Sequence, residues 1–359
     1  MSWATFQILI RQLSSPTRLL ISAYAVVIAT LTVLRLLGIT GLWWLDLANN
    51  YAPYWYMPMV VTFPISVIVT RHTEKRHPPR WSVLLQIILL GMGLFWFALP
   101  SVYKPYVPPT TPTFKVITYN VLGHNQELDQ ATQWLVAQNA DIIVLEETIE
   151  GYDDLLSVLY AVYAHEAHIE GSVRIFSRYE ILAKQLLVIE DNPGHLVLKV
   201  VLNQNGRELA VYATHFALPL GNVKHLPLPT PNYGLYFALH YDETRRNTQI
   251  HNLLDILRDE PLPYILAGDF NTSDASLIYH DIADVMIDSF REAGAGAGRT
   301  WPVAERIGLP PVLPPLIRID YIWHSEQMRA VTAKVGTEPI GSDHLPVIVE
   351  MEWVDSAEG

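Results

Sequence analysis

The chain has 359 residues, with 24 Lys and Arg against 36 Asp and Glu for a formal charge of −12, and it contains no Cys. The missing Cys excludes a disulfide framework and thiolate chemistry, and the acidic balance disfavours long-range capture of a polyanion. That balance is uneven: residues 1–109 carry a net +6 and the remainder a net −18, so the two parts are read separately.

Three apolar stretches open the chain, at about Leu19 to Leu37, Tyr54 to Thr70 and Val83 to Leu99. Each approaches the ~20 residues a helix needs to cross hydrocarbon, the second only with its aromatic flank included. Trp43, Trp44, Tyr54, Trp55 and Tyr56 form an aromatic belt of the kind found at membrane interfaces. The pattern predicts a membrane domain over residues 1–100 with three transmembrane helices. The segment 71–80 carries Arg71, Lys75, Arg76 and Arg80, whereas the connection between the first two stretches has no Lys or Arg. Basic loops stay cytoplasmic, and Arg11 and Arg18 agree. Three crossings then place everything after about residue 100 on the extracytoplasmic face. Arg35, near the end of the first stretch, is expected to snorkel toward headgroups as an interface residue. Residues 101–113 are Pro-rich and read as a stiff, extended linker.

From Phe114 to the end the pattern changes to short β-rich runs and amphipathic helices. Strands are predicted over 114–121, 141–146, 172–177, 181–189, 195–203, 208–215, 263–268, 319–323, 328–335 and 346–353. Helices are predicted over about 127–138, 152–162, 243–259 and 275–283. Many strands with interspersed helices fit a layered sandwich of sheets covered by helices.

Polar residues cluster at the ends of those strands: Asn120, the Glu146 and Glu147 pair, Thr214-His215, Gly268-Asp269-Phe270-Asn271, Arg318-Ile319-Asp320 and Ser342-Asp343-His344. Singly, each has a plain structural explanation as a turn former, helix cap or solvated face. Together they supply oxygen ligands for a hard cation, two imidazoles and carboxylates to orient them, gathered where one edge of a sandwich can collect them.

The ordered set Thr-Tyr-Asn120, Asp-Ile-Ile-x-Leu-x-Glu147, Ser177-Arg178, Thr214-His215, Gly-Asp269-Phe-Asn271, Arg-Ile-Asp320-Tyr and Ser-Asp343-His344 resembles the endonuclease/exonuclease/phosphatase signature. The resemblance covers about 115–353, with Arg246-Asn-Thr-Gln249 and Thr300-Trp301-Pro302 as lesser marks. It implies a four-layer α/β/β/α sandwich of the DNase I-like kind over residues 114–359. It also implies a divalent cation, Mg²⁺ or Mn²⁺, held by Glu147 and Asn120 with Asp343 nearby. By the same resemblance His344 is the general base, Asp320 orients its ring, Asp269 and Asn271 surround the nucleophile and scissile phosphate, and His215 contacts a phosphate oxygen. The chain departs from the family in having Glu146 where Gln is common and Glu180 where Pro often follows Ser-Arg-Tyr. Glu146 is expected to add negative charge beside the metal.

Two apolar connections remain, 216–239 and 307–316. A loop as long as the first is uncommon inside a compact domain. It reads either as a segment packed on its own domain or as a lip that touches the bilayer. The layout resembles bacterial membrane-anchored members with three amino-terminal spans. The expected activity is therefore hydrolysis of a phosphoester at the extracytoplasmic membrane face, with a lipid or polyprenyl phosphate as the favoured substrate. A tethered extracellular nuclease and a catalytically silent binding module are the alternatives; metal-dependent turnover separates the enzymes from the module, and a substrate panel separates the enzymes.

Overall fold

A computed structural model describes residues 3–71, 80–102, 104–149, 151–190, 196–220, 237–308 and 310–354. The chain divides into two compact units that part after Pro100.

The first unit contains α1 (Trp3–Leu36), α2 (Trp43–Asn50), α3 (Ala52–Tyr56), α4 (Met59–Arg71) and α5 (Arg80–Gly93), the last continuing as a π-helical turn over Leu94–Ala98. Among the described residues, two helical windows are long and apolar enough to cross a membrane, Leu19–Leu36 and Trp81–Ala98. The middle apolar stretch does not form one long helix. It is divided at a turn over Met57-Pro58 into helices of 5 and 13 residues, and Pro58 contributes no amide donor there. The packing of α1, α4 and α5 has a mixed interior and an apolar outer face. Thr32, Ser66, Ser82 and Gln86 are buried, with Ser22 Oγ 3.0 Å from Ser82 Oγ and Gln86 Nε2 donating to Ser66 Oγ at 3.2 Å. Val26, Val33, Val60, Val61, Ile68, Leu84, Ile87 and Ile88 are exposed. The apolar part of the interior is centred on Ile28, Tyr56, Met59 and Leu89.

The second unit is a mixed α/β sandwich of two six-stranded sheets. The first sheet contains β1 (Phe114–Asn120), β2 (Ile142–Glu146), β3 (His165–His168), β4 (Val173–Ser177), β11 (Met328–Val335) and β12 (Val347–Trp353), in the order β11-β12-β1-β2-β4-β3. The second contains β5 (Glu180–Val188), β6 (Leu196–Gln204), β7 (Arg207–His215), β8 (Tyr264–Asp269), β9 (Ile287–Asp288) and β10 (Asp320–His324), in the order β5-β6-β7-β8-β10-β9. Val116, Val144, Val200, Val211, Ile265 and Val349 fill the space between the sheets. The outer face of the first sheet is covered by α6 (Leu128–Ala137) and α7 (Ser157–Val162), through Leu135 and Leu159 packed with Tyr119 and Ile143. The outer face of the second is covered by α8 (Thr244–Arg258) and α9 (Ile278–Ala283), through Leu253 and Ile282 packed with Tyr212 and Leu266. Strands covered on both sides lose the alternation of a half-exposed strand, as the wholly buried Ile142–Glu146 and Tyr264–Asp269 illustrate.

Each sheet holds one central parallel pair. β1 runs parallel to β2 with Asn120 opposite Glu146, and β7 runs parallel to β8 with His215 opposite Asp269. Parallel neighbours need a crossover, and the connections containing α6 and α8 supply it. The carboxyl ends of both pairs consequently carry the polar residues singled out above. Among the described residues of this unit, β3, β9, a short helix α10 (Ser289–Ala293) and a 3-10 turn (Ala304–Ile307) lie outside the sequence-based set.

Candidate active site

Backbone geometry places the polar groups before side chains add anything. Asn120, His215 and Asp269 are the last residues of β1, β7 and β8, and Asp320 is the first of β10, paired antiparallel with Asp269. Glu147 lies one residue past β2 in the left-handed region, with φ +56°. Gly268, at φ +145°, is required by close approach: a Cβ there would lie 1.9 Å from the carbonyl oxygen of Thr214. Gly341, at φ +81°, passes Asn125 so closely that a Cβ would meet its Oδ1 at 1.8 Å. Asn125 Nδ2 donates to the carbonyls of Val121 and Ile340 at 2.9 and 3.0 Å. This ties the loop after β1 to the turn that carries Asp343 and His344.

All eight residues expected at the site fall into one connected cluster. Asn120 Nδ2 donates to Glu147 Oε1 at 3.0 Å and to Asp269 Oδ2 at 3.1 Å, the second bond crossing from one sheet to the other. Asp269 Oδ2 also lies 3.6 Å from His215 Nε2 and 3.8 Å from His344 Nε2. His344 Nδ1 faces both oxygens of Asp320, at 3.1 and 3.0 Å. Asp343 meets the cluster at His344, with 3.9 Å between Oδ1 and Nε2, while its Oδ2 accepts from Trp301 Nε1 at 3.0 Å. Asn271 is turned partly away. Its amide N–H donates to Asp269 Oδ1 at 2.8 Å, but its side-chain Nδ2 is spent on the carbonyl of Phe216 at 2.9 Å.

The charges sort into distinct states. Burial alone would raise the Glu147 carboxyl, but His215, the Asn120 amide and the Gly123 N–H outweigh it and hold the group below its ordinary value. Asp269 is pushed up to about 6, first by burial and then by the charge of Asp320. For His344 burial works against the imidazolium, yet Asp320, Asp269 and Asp343 outweigh it and lift the ring well above its ordinary value. Glu146 departs from the expectation that it adds charge beside a metal. It is fully buried, its Oε1 accepts from Thr118 Oγ1 at 2.6 Å, and its Oε2 has no hydrogen-bond partner. Desolvation pushes this carboxyl well up, which favours its protonated form, one close in shape and hydrogen-bonding capacity to the Gln common in the family.

The donor set fits a hard divalent cation. Glu147, Asp269, Asp320 and Asp343 offer oxygens, and no Cys is present to favour a softer ion. Asp269, Asp320 and His344 each bring one ligand atom within 4.8 Å of the others, a buried group able to hold a metal. Hydrogen bonding separates two roles within the cluster. Asp320 commits both oxygens to the His344 ring, whereas Glu147 stands apart from that pair, its Oε2 accepting from the Gly123 N–H at 2.9 Å; Asn120 turns its Nδ2 to Glu147, and its Oδ1 accepts from the Leu122 N–H at 3.1 Å.

Supporting residues that the strand-end reading passed over are also visible. Ser342 Oγ donates to the carbonyl of Asn120 at 2.7 Å and accepts from the His344 N–H at 3.0 Å. Thr300 Oγ1 accepts from the amides of Ile319 and Asp320 at 3.2 and 3.3 Å. Arg246 is fully buried and donates Nη1 to the carbonyl of Asn271 at 2.6 Å. The sequence signal for these groups was their place in the polar triplets Ser-Asp-His and Thr-Trp-Pro and at the start of α8.

The profile of the endonuclease/exonuclease/phosphatase family matches residues 117–344, the span from β1 to the His344 turn. The chain belongs to the endonuclease/exonuclease/phosphatase family. Members of this family are typically metal-dependent phosphoester hydrolases. A solved family structure from Bacteroides vulgatus aligns with 68% of this chain and 100% of its own, at 18% identity and a TM-score of 0.51. One from Bacteroides thetaiotaomicron covers 70% of this chain and 100% of its own, at 17% identity and 0.52. D. rerio TDP2 complexed with single strand DNA product covers 67% and 100%, at 15% identity and 0.52. At these identities the likeness is one of fold. None of the curated proteins matches this sequence.

Of the two apolar connections, 221–236 of the first lie outside the described residues, while the flanking Phe216, Ala217 and Leu220 are buried. The second is a loop whose stem is the bridge between Trp301 and Ile317. It leaves Ile307, Val312 and Leu313 exposed, and the Trp301 of its stem donates to Asp343.

Proposed function

We propose that the chain hydrolyses a phosphoester with a divalent cation held at Glu147 and Asn120, His344 acting as the general base. The observation that carries this reading is the Asp320 pair with His344 Nδ1, which leaves Nε2 facing Asp269 and the open cluster. Nε2 takes a proton from water as its oxygen attacks phosphorus and the bond to the leaving oxygen breaks. Asp320 fixes the ring and stabilises the imidazolium that results. Asp269 orients the nucleophile, and His215 contacts a phosphoryl oxygen. When bound, Mg²⁺ or Mn²⁺ supplies neutralisation of phosphoryl charge and support for the leaving group.

The test is turnover of bis(p-nitrophenyl) phosphate, p-nitrophenyl phosphate and pyrophosphate by the purified protein, with EDTA and then with Mg²⁺ or Mn²⁺ restored. Metal-dependent release is expected from at least one probe. A folded protein inert toward all three with either ion sinks the catalytic reading and leaves a binding module.

The same proposal extends to location and substrate: a multi-pass membrane anchor, the catalytic unit extracytoplasmic, and a lipid-linked phosphoester as substrate. Two long apolar helices, the apolar outer face of the first unit and the basic segment 71–80, of which 72–79 lie outside the described residues, support the anchor. The net −18 after residue 109 supports a substrate other than nucleic acid. Reporter fusions after residue 110 are expected to read extracytoplasmic; a cytoplasmic reading, as two crossings instead of three require, overturns the placement. Efficient cleavage of DNA or RNA with no action on lipid phosphates in micelles overturns the substrate and favours the tethered nuclease.

A further inference from the structure

The sequence-based expectation for Arg35 was a side chain reaching outward. The structure has it turned inward at the end of α1. Its Nη1 donates to Asn49 Oδ1 at 3.1 Å, and its guanidinium carbon lies 5.9 and 5.7 Å from the ring centroids of Trp96 and Phe97. Among the described residues no carboxylate lies within 4.0 Å of it. The nearby α2 carries Asp46, whose Oδ2 accepts from the Gly41 N–H at 3.0 Å. Asn49 itself is buried, and its Nδ2 has no hydrogen-bond partner.

This group is rich in donors and poor in acceptors. A guanidinium offers five N–H donors and no acceptor, and one of its hydrogen bonds is accounted for here. Two aromatic faces offset part of the desolvation, but a half-buried cation without a counter-ion keeps donors that call for an acceptor. Asn49 acts by holding the guanidinium through its Oδ1. What completes the set is an anion with several acceptor oxygens, for which a guanidinium fork is well matched when the anion is a phosphate.

We propose that Arg35, held in place by Asn49, binds the phosphate of a membrane phospholipid headgroup, separate in the chain from the residues of the candidate active site. The site rests on the membrane reading of residues 1–100. It would hold one anionic lipid against the turn Leu94–Ala98 and the short α2.

The test uses the full chain purified in a neutral maltoside detergent and read by native mass spectrometry and thermal unfolding. The added probes are phosphatidylglycerol, the phosphate-free monogalactosyldiacylglycerol and inorganic phosphate. Wild-type protein is expected to retain phosphatidylglycerol and to be stabilised by it more than by the galactolipid. Arg35→Gln is expected to weaken that retention roughly tenfold, the size of one charge-assisted interaction, and Asn49→Ala by a smaller factor. Equal retention of the two lipids by wild type overturns the site, as does unchanged retention by folded Arg35→Gln. Should Arg35→Gln not fold, unchanged retention by Asn49→Ala overturns it instead. Protection by inorganic phosphate equal to that by phosphatidylglycerol supports the anion site but assigns it to free phosphate. Flotation with phosphatidylglycerol vesicles tests the membrane reading by itself: protein released by high salt without detergent sinks that reading, whereas loss of lipid retention in a variant that still floats does not.

Discussion

Asp320 presents both carboxylate oxygens to one nitrogen of His344, at 3.1 and 3.0 Å, and so fixes which ring nitrogen is free. Nδ1 is tied to the carboxylate and Nε2 is directed at the cluster, the arrangement a proton acceptor requires. The same contact favours the charged ring, so a base at this position works only after losing a proton it is held to keep. Activity is therefore expected to rise with pH through the value at which His344 deprotonates. In Asp320→Asn the stabilising charge is gone and the proton leaves more readily. The acidic limb of kcat/KM for bis(p-nitrophenyl) phosphate is expected to move to lower pH while the maximum falls by roughly 10²- to 10⁴-fold. A limb that stays in place shows that His344 is not the group being titrated.

Glu147→Ala and His344→Ala are each expected to remove metal-dependent turnover while leaving thermal unfolding nearly intact. Combining them is expected to cost little more than either alone, because groups acting as one unit are not additive. Near-wild-type rates in a folded His344→Ala protein reject that residue as base.

Glu146→Gln is expected to keep activity within roughly twofold, since the amide reproduces a neutral acid. Its effect on stability depends on pH. The folded carboxyl is raised well above its ordinary value near 4.5, so the native state binds more protons than the unfolded chain once the pH exceeds that value. Wild-type stability is then lost as pH rises through this window. The variant lacks the penalty, and its advantage in denaturant midpoint is expected to grow from pH 4.5 toward neutrality. A difference independent of pH contradicts a protonated Glu146.

Asp288 anchors a buried network of the opposite sign. Its oxygens take two hydrogen bonds from Arg318, at 2.8 and 2.6 Å, and it caps α10 through the amides of Phe290 and Arg291. Burial would raise the carboxyl, but Arg318 outweighs it and holds the group below its ordinary 3.8. The resulting stability is present above that value and lost as pH falls through the folded one. Asp288→Asn is expected to cost about 3–5 kcal/mol near neutral pH and to narrow the gap to wild type in acid, measured by urea unfolding across pH.

Arg246 reaches the cluster only through the carbonyl of Asn271, so it is a positioning residue. Its removal is expected to lower kcat by roughly 100-fold with a smaller change in KM, the effect of misplacing Asn271 and the amide that binds Asp269. Arg246→Lys is expected to recover part of the loss. Variants that lose stability but keep kcat assign the residue to folding alone.

The sequence made the site more legible than its supports. Asn120, His215, Asp269 and Asp320 end or begin strands whose apolar runs are plain, so their gathering at one edge followed from alternation of strand and helix. Ser342, Thr300 and Arg246 act on backbone groups distant in sequence, and no local pattern reveals such partners. β3, His-Glu-Ala-His, is short and polar, and it pairs only with β4 in its sheet; β9 has two residues. Neither carries enough periodicity to register. The cap at Asp288 was a readable signal that passed unused. The middle apolar stretch is read by hydropathy as one segment, whereas the chain divides it into two helices, of 5 and 13 residues.

The hydrogen bond from Asn120 to Asp269 joins groups that belong to opposite halves of the sandwich. Their separation is set less by either residue than by the thickness of what lies between them. Val144, Val211 and Ile265 therefore act as a gauge block. A bulkier side chain at any of them would leave each half of the candidate site internally correct and the two halves out of reach of one another. The geometry of the candidate site is thus a property of an apolar interior that lies outside it.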